Sequence, residues 1–183
     1  MEWILNIDNS ILDFIQNNLR SPKLDKIMSL ITSLGNIGII WIVIALIAIS
    51  IRKYRKYGYI IFGALLLCMI VGNITLKNLV GRARPFNANE KLNLLIISAP
   101  QDFSFPSGHT MCSFAAATVI CYINKKAGVL AIILSMLIGF SRLYLYVHYP
   151  SDVLVGAIIG IFLGYISIML YKYIVENKRN LIK

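Results

Sequence analysis

The chain has 183 residues, enough for one domain, and 58% of them are hydrophobic against 14% charged, with a mean hydropathy of +0.73. That balance excludes an ordinary soluble globule, because runs of roughly 20 apolar residues recur, each long enough to cross a hydrocarbon core about 30 Å thick. The net charge of +10 does not point to nucleic acid: the cations gather at the ends of apolar runs, and no basic soluble face with interleaved aromatics is present.

Residues 3–19, WILNIDNSILDFIQNNL, place Ile4, Ile7, Ile11, Phe14 and Ile15 at helical spacing, with Asp8, Asp13 and Asn17 elsewhere on the turn. The pattern predicts a helix lying in the membrane interface. SPKLD then breaks the chain, and five spans are predicted over 26–51, 57–77, 106–123, 128–147 and 151–173, the first able to bend at Gly35 and Gly38. The expected fold class is an all-α integral membrane helical bundle, with about five transmembrane helices plus the N-terminal interfacial helix. As a single domain over 1–183, it divides into the interfacial helix (1–23), the bundle (24–173) and a tail (174–183). Cys68, Cys112 and Cys121 fall in apolar runs without CxxC or CxxH spacing and read as small buried side chains. No cleavable signal peptide is expected, since residues 1–20 lack a basic start and contain Asp8 and Asp13.

Orientation follows by alternation. RKYRK (52–56), Lys125, Lys126 and the tail cations Lys172, Lys178, Arg179 and Lys183 would face the cytoplasm. Residues 1–25, the loop 78–105 and the turn at His148 would then lie outside, with ten cations inside against eight outside. That loop is long for an idle connection. Within it LNLLII (92–97) is too short to span, and either dips into the interface or packs onto the bundle.

Three polar clusters fall on the predicted outer face. In KNLVGRARPF, Lys77 ends the second span while Arg82 and Arg84 follow and Pro85 stops further helix; read alone, these are interfacial cations reaching for headgroups. In FSFPSGHTMCSF, Ser104 is the expected N-cap with Pro106 in the first turn. Ser107, Gly108 and His109 then stand where free backbone N–H groups meet the positive end of the helix dipole, a ready anion site. The plain alternative is a cap with an interfacial histidine. In GFSRLYLYVHYPSDVLVG, Arg142 ends the fourth span and Asp152 follows His148 by four residues. If helix begins at His148, carboxylate and imidazole share a face, which fixes the tautomer and raises the basicity of the free nitrogen; otherwise they form an ion pair that pins a turn.

Together the clusters outweigh their separate explanations. Both histidines, several cations and an anion-ready helix start converge on one membrane surface, where ionisable groups are costly and mark a site. Cations plus a helix N-terminus describe a pocket for a multiply charged oxyanion such as phosphate. Asp102, Asp152 and Glu90 are the only carboxylates near enough to be considered for a divalent ion, too few to hold one by themselves. No metal or cofactor is therefore expected.

KNLVGRARP fits K-x6-R-P, PSGH is intact, and SRLYLYVHYPSD fits S-R-x5-H-x3-D. This tripartite signature resembles the type 2 phosphatidic acid phosphatase superfamily, which includes vanadium haloperoxidases and glucose-6-phosphatase, and the resemblance covers about 24 to 173. It implies that His148 attacks phosphorus to form a phosphohistidine, that Asp152 orients His148, and that His109 protonates the leaving oxygen and then activates water. Lys77, Arg84, Arg142, Ser107 and the Gly108 amide would hold the phosphoryl oxygens. Ser141 and Pro106 would support the site, and Arg82, outside the strict signature, would stand behind these groups or meet substrate. Larger bacterial relatives carry a sixth span at the N-terminus, where this chain has its short polar helix.

The resemblance further implies a metal-independent lipid phosphatase in the bacterial cytoplasmic membrane, its site on the extracytoplasmic face and its partners a lipid phosphate or diphosphate and the bilayer. Compact bacterial relatives are similar to undecaprenyl diphosphate phosphatases, which serve cell-wall synthesis; phosphatidylglycerophosphate and phosphatidic acid are the next candidates. The alternatives outside this class are a headgroup-binding or transport protein without chemistry, and a vanadate-dependent peroxidase.

Overall fold

The computed structural model describes residues 2–181, with side chains to Val175 apart from Leu92; the side chains of the tail cations Lys178 and Arg179, and the whole of Lys183, fall outside that description. All regular structure among the described residues is helical. Helix α1 spans Glu2–Asn18 and α2 spans Pro22–Leu34, started by Ser21, whose hydroxyl accepts from the Leu24 N–H, with Pro22 in the first turn. A short 3-10 turn, Asn36–Gly38, leads into α3 (Ile39–Ser50). Helix α4 (Arg55–Cys68) continues through a π-helical stretch, Met69–Leu76, into α5 (Lys77–Val80). The short α6 (Pro85–Ala88) and a 3-10 turn at Leu92–Leu94 interrupt the long loop before α7 (Gly108–Ile123), α8 (Lys125–Tyr144) and α9 (Pro150–Leu181).

Among the described residues three helical segments are long and apolar enough to cross a membrane: Arg55–Ala88, Lys125–Tyr144 and Pro150–Val175. A fourth is added if Pro22–Leu34 and Asn36–Ser50, bent by 45°, cross as one. The bend falls where Gly35 and Gly38 suggested it, and Gly38 takes a left-handed φ of 70° that suits glycine. The predicted span 106–123 is the 16-residue α7, which begins two residues later than expected. At the other end, α9 runs past the expected limit of 173 as one helix to Leu181.

Helix α7 sits at the centre of the bundle, packed mainly against α8 and α9. Its contact with α9 is made by small residues. A Cβ on Gly156 would meet Ser107 O at 2.9 Å, one on Gly160 would meet Met111 O at 2.3 Å, and one on Gly164 would meet Ala115 O at 2.7 Å. Lipid offers no hydrophobic drive for helix association, so this close backbone approach supplies the packing. A side chain at Gly160 would press on backbone that cannot step aside, at a cost of about 1–3 kcal/mol or more. Polar ties add to it: Trp41 Nε1 donates to Ser113 Oγ at 2.9 Å and Ser167 Oγ to Ile60 O at 2.7 Å, both buried.

A second core closes the end of the bundle that carries the three polar clusters. Leu12 and Ile15 of α1 pack with Met28, Phe86, Tyr144, Tyr146 and Tyr149. Leu94, Leu95, Ile96 and Ile97 lie against the same cluster, so this part of LNLLII packs onto the bundle. Helix α1 buries Asp8, Leu12 and Ile15 and leaves Trp3, Ile7, Ile11 and Phe14 exposed. Its apolar stripe therefore faces outward, as an interfacial helix requires, while an aspartate faces the protein.

Candidate active site

Five stretches of chain bring the polar clusters together. The π-helical stretch holds more residues per turn than α4, so Lys77 is presented on a rotated face, and it is buried. Arg84 precedes α6 in extended conformation, Gly108 and His109 open α7, Arg142 sits in the last turn of α8, and His148 lies in the turn before α9. Lys77, Arg84, Gly108, His109, Arg142 and His148 all line one cavity of about 380 Å³.

The charges inside it are held apart by few contacts. Arg84 donates through Nε to Asp102 O at 2.7 Å, through one terminal nitrogen to Asp102 Oδ1 at 2.5 Å, and through the other to Val147 O at 2.7 Å. Lys77 Nζ donates to Asp102 Oδ2. Arg142 donates to Thr32 Oγ1 at 2.6 Å, and its buried Nε has no partner. Three cations thus surround the cavity with one carboxylate among them. An unpartnered donor on one of them is what an oxyanion site shows before its ligand arrives.

The fully buried His148 places Nε2 3.2 Å from an Arg84 terminal nitrogen. A guanidinium only donates, so Nε2 bears the lone pair and Nδ1 the proton. Burial, then the charges of Arg84, Arg142 and Lys77, push the imidazole well below its ordinary range, with Asp102 opposing. The ring is therefore neutral, the state a nucleophile needs; its Nε2 lone pair accepts from Arg84, and both residues line the cavity.

Behind His148 the arrangement differs from the expected helical pair. Regular helix begins at Pro150, so His148 stands outside it, and Nδ1 is 3.6 Å from Asp152 Oδ2, beyond hydrogen-bond length. Asp152 Oδ2 instead accepts from Ser104 Oγ at 2.5 Å and from the Tyr149 N–H at 2.9 Å, while Oδ1 accepts from Arg82 at 2.6 Å. Ser104 is not the cap of α7, which starts after Ser107; its hydroxyl lies between Asp152 and His148 Nδ1, 3.4 Å from the latter. The Ser107 hydroxyl pairs with Thr110 Oγ1 at 2.9 Å and its N–H donates to Asp152 O, which ties the start of α7 to α9. Pro106 is buried just ahead of it. Ser141 turns away from the cavity and donates to Ile138 O at 2.7 Å within α8. Arg82 does not line the cavity; it lies behind Asp152 and stacks on Tyr149, 3.9 Å from the ring centre.

Opposite His148, His109 Nε2 meets Asn36 Oδ1 at 2.9 Å; with an oxygen as partner, Nε2 carries the proton. A Cβ on Gly35 would approach His109 Cδ2 to 2.7 Å, so that glycine makes room for the ring. His109, Gly108, Lys77 and Asp102 also border a second cavity of about 420 Å³ whose other walls include Ile37, Ile42, Phe62, Leu65 and Met69. Polar and apolar chambers therefore meet at His109. Among the described residues no group of three His, Cys, Asp or Glu side chains is placed to hold a metal ion.

Sequence reasoning missed Asn36, Thr32, Ser104 and Asp8. Ser104 carried a signal, three residues before PSGH, but capping claimed it. Asn36 and Thr32 lie in a region read only as span, and nothing local marks them.

A family model matches residues 56–176, two thirds of the chain, and its description is PAP2 superfamily. The chain belongs to the PAP2 superfamily. Its three signature segments are the ones that meet at the cavity. An undecaprenyl-diphosphatase of Sulfolobus acidocaldarius is 31% identical over 120 residues, 65% of this chain but only 57% of the relative's length. A lipid A 4'-phosphatase of Bacteroides thetaiotaomicron is 31% identical over 177 residues, 91% of this chain and 77% of that protein. The crystal structure of a transmembrane PAP2-type phosphatidylglycerolphosphate phosphatase from Bacillus subtilis superposes with a TM-score of 0.80 at 26% identity, covering 95% of this chain and 89% of that one. Similarity to these PAP2 proteins extends beyond the signature to the whole helical arrangement.

Proposed function

We propose that the protein is a membrane lipid phosphatase that releases phosphate from a lipid diphosphate, undecaprenyl diphosphate first, without a divalent ion. The observation that carries this reading is the neutral His148, lining a cavity with Lys77, Arg84 and Arg142, its Nε2 lone pair held only by Arg84, a cation that an entering phosphate would engage. A protein that only bound headgroups would need the cations but not a poised nitrogen. The adjoining apolar chamber offers room for a lipid chain.

In this mechanism His148 Nε2 forms a bond to phosphorus as the bond to the leaving oxygen breaks, and His109, charged as imidazolium once the substrate's phosphate offsets the surrounding cations, gives that oxygen its proton. Charge builds on the equatorial oxygens, where Lys77, Arg84, Arg142 and the Gly108 N–H stabilise it. Asp152 and Ser104 steady the ring through Nδ1. His109, now a neutral imidazole, takes a proton from water, which attacks the phosphohistidine and frees phosphate and His148.

A second reading, phosphatidylglycerophosphate or phosphatidic acid as substrate, has the Bacillus structural neighbour in its favour. The deciding experiment incubates purified protein in detergent and EDTA with undecaprenyl diphosphate, phosphatidylglycerophosphate and phosphatidic acid separately. The proposal expects phosphate release fastest from the first and none from His148→Ala. A higher kcat/KM on either glycerolipid moves the assignment to the second reading, and silence on all three removes the enzymatic one.

A further inference from the structure

Asp8 is a charged side chain on an otherwise amphipathic surface helix, yet only 2% of it is exposed. Its Oδ1 accepts from the Ser151 N–H at 2.9 Å, and its Oδ2 accepts from Ser151 Oγ at 2.6 Å and Arg82 at 2.8 Å. The other terminal nitrogen of Arg82 donates to Asp152 Oδ1 at 2.6 Å and to Ser151 Oγ at 2.7 Å. One guanidinium fork thus bridges two buried carboxylates, one from α1 and one beside His148. Asp152 is fully buried, and with Ser104 and Tyr149 on its other oxygen its orientation is fixed from both sides.

The second carboxylate matters electrically. Arg82 paired with Asp152 alone would be a neutral couple, and the field of Asp152 at His148 would be largely cancelled at the point where the ring must gain positive character. Asp8 on the far nitrogen returns the trio to a net single negative charge and draws part of the cation's charge away from Asp152. The same contacts also seat α1, so anchoring is the plainer explanation to be separated from this one.

We propose that Asp8, acting through Arg82, is a positioning residue for phosphoryl transfer: it holds the fork so that Asp152 keeps both its orientation and its negative field toward His148 Nδ1. This rests on His148 as nucleophile and Asp152 as its partner. An N-terminal helix outside the signature thereby contributes to the reacting group.

The test uses the full chain in detergent, with undecaprenyl diphosphate and para-nitrophenyl phosphate as substrates, orthovanadate as inhibitor, and a thermal midpoint for each variant. Asp8→Asn should lower kcat by about 10- to 100-fold, the usual loss when a residue supporting a site's ligand or base is removed, while KM and vanadate inhibition stay within about twofold. Asp8→Glu, which keeps the charge, should regain part of kcat. Combining Asp8→Asn with Arg82→Gln should be no slower than Arg82→Gln alone, because both break one linkage. Leu12→Ala, which loosens the same helix without touching charge, should cost stability but far less kcat. Wild-type kcat in a folded Asp8→Asn, or equal kcat losses in Asp8→Asn and Leu12→Ala at matched stability, would overturn the proposal. If Asp8→Asn does not accumulate, Arg82→Lys asks the same question, since one ammonium does not span both carboxylates as the fork does; full kcat there would also overturn it. A dead His148→Ala beside an unaffected Asp8→Asn refutes the role of Asp8 alone, whereas turnover in His148→Ala refutes the underlying mechanism.

Discussion

The carboxylate of Asp102 reaches Lys77 and Arg84, the two cations that an incoming phosphate would need. Burial raises this carboxyl, but the hydrogen bond from Lys77 and the charge of Arg84 outweigh it and hold it at about 2. A depressed value means the contact is fully made above the ordinary carboxylate range and is lost only as pH falls toward 2, so Asp102 is ionised wherever the protein works. With half its side chain exposed, it is also free to move. A phosphate carries more charge and more oxygens than one carboxylate, and on entering the cradle it is expected to displace Asp102. Removing the competing charge should therefore help an anion bind. Asp102→Asn is expected to strengthen orthovanadate inhibition severalfold, measured as a lower inhibition constant on para-nitrophenyl phosphate. A weaker inhibition would instead mean that Asp102 is needed to hold Lys77 and Arg84 in place.

At the scale of elements, the kink between α2 and α3 is where packing serves chemistry. Gly35 is read from sequence as a bend, and it does lie at one, but its neighbour in space is the His109 ring. Gly35→Ala forces that ring off its contact with Asn36. The loss should fall on kcat for a lipid substrate with a basic leaving oxygen, by about 10-fold or more out of the roughly 10²–10⁴ that general acid catalysis supplies. For para-nitrophenyl phosphate, whose leaving group needs no proton, the change should be small. Equal losses on both would detach His109 from proton delivery. The same kink shows where sequence stops being informative. Apolar run lengths and cation clusters located the helices, and three motifs located Lys77, Arg84, His109, Arg142 and His148. The contacts of these residues were not legible, because they depend on how separate helices meet. Ser104 looked like a cap because its spacing to the apolar run suited one, and only the proximity of α9 makes it a partner of Asp152. Asp8 looked like the wet side of a surface helix, since nothing in residues 3–19 shows that the opposite surface is protein rather than water.

For the whole molecule, the two ends of the bundle differ in charge as they do in function. Lys172 lies over the ring of Tyr122, which packs edge-on to Tyr57, beside which sits Lys56; the cationic segments at 52–56, 125–126 and 172 thus share one end. The site is at the other, separated by the 16 residues of α7, or about 24 Å at 1.5 Å per residue. By alternation along the sequence eight cations belong to the side that carries the site, a margin of only two against the ten of the other side. Six of those eight are committed locally: Arg20, Lys77, Arg82, Arg84 and Lys91 face carboxylates and Arg142 lines the cavity. Cations held this way lend little to orientation, so we expect the clustered lysines and arginines of the far end to decide it and to face the cytoplasm. On that expectation the site would lie on the outer face, with the exposed Glu90, on the loop beside α1, in external solvent. A single cysteine at Glu90, in a chain whose Cys68, Cys112 and Cys121 are replaced by alanine, should react with a membrane-impermeant maleimide in intact cells. One at Lys53 should react only after the membrane is opened. The reverse pattern would turn the molecule over and place the candidate site in the cytoplasm.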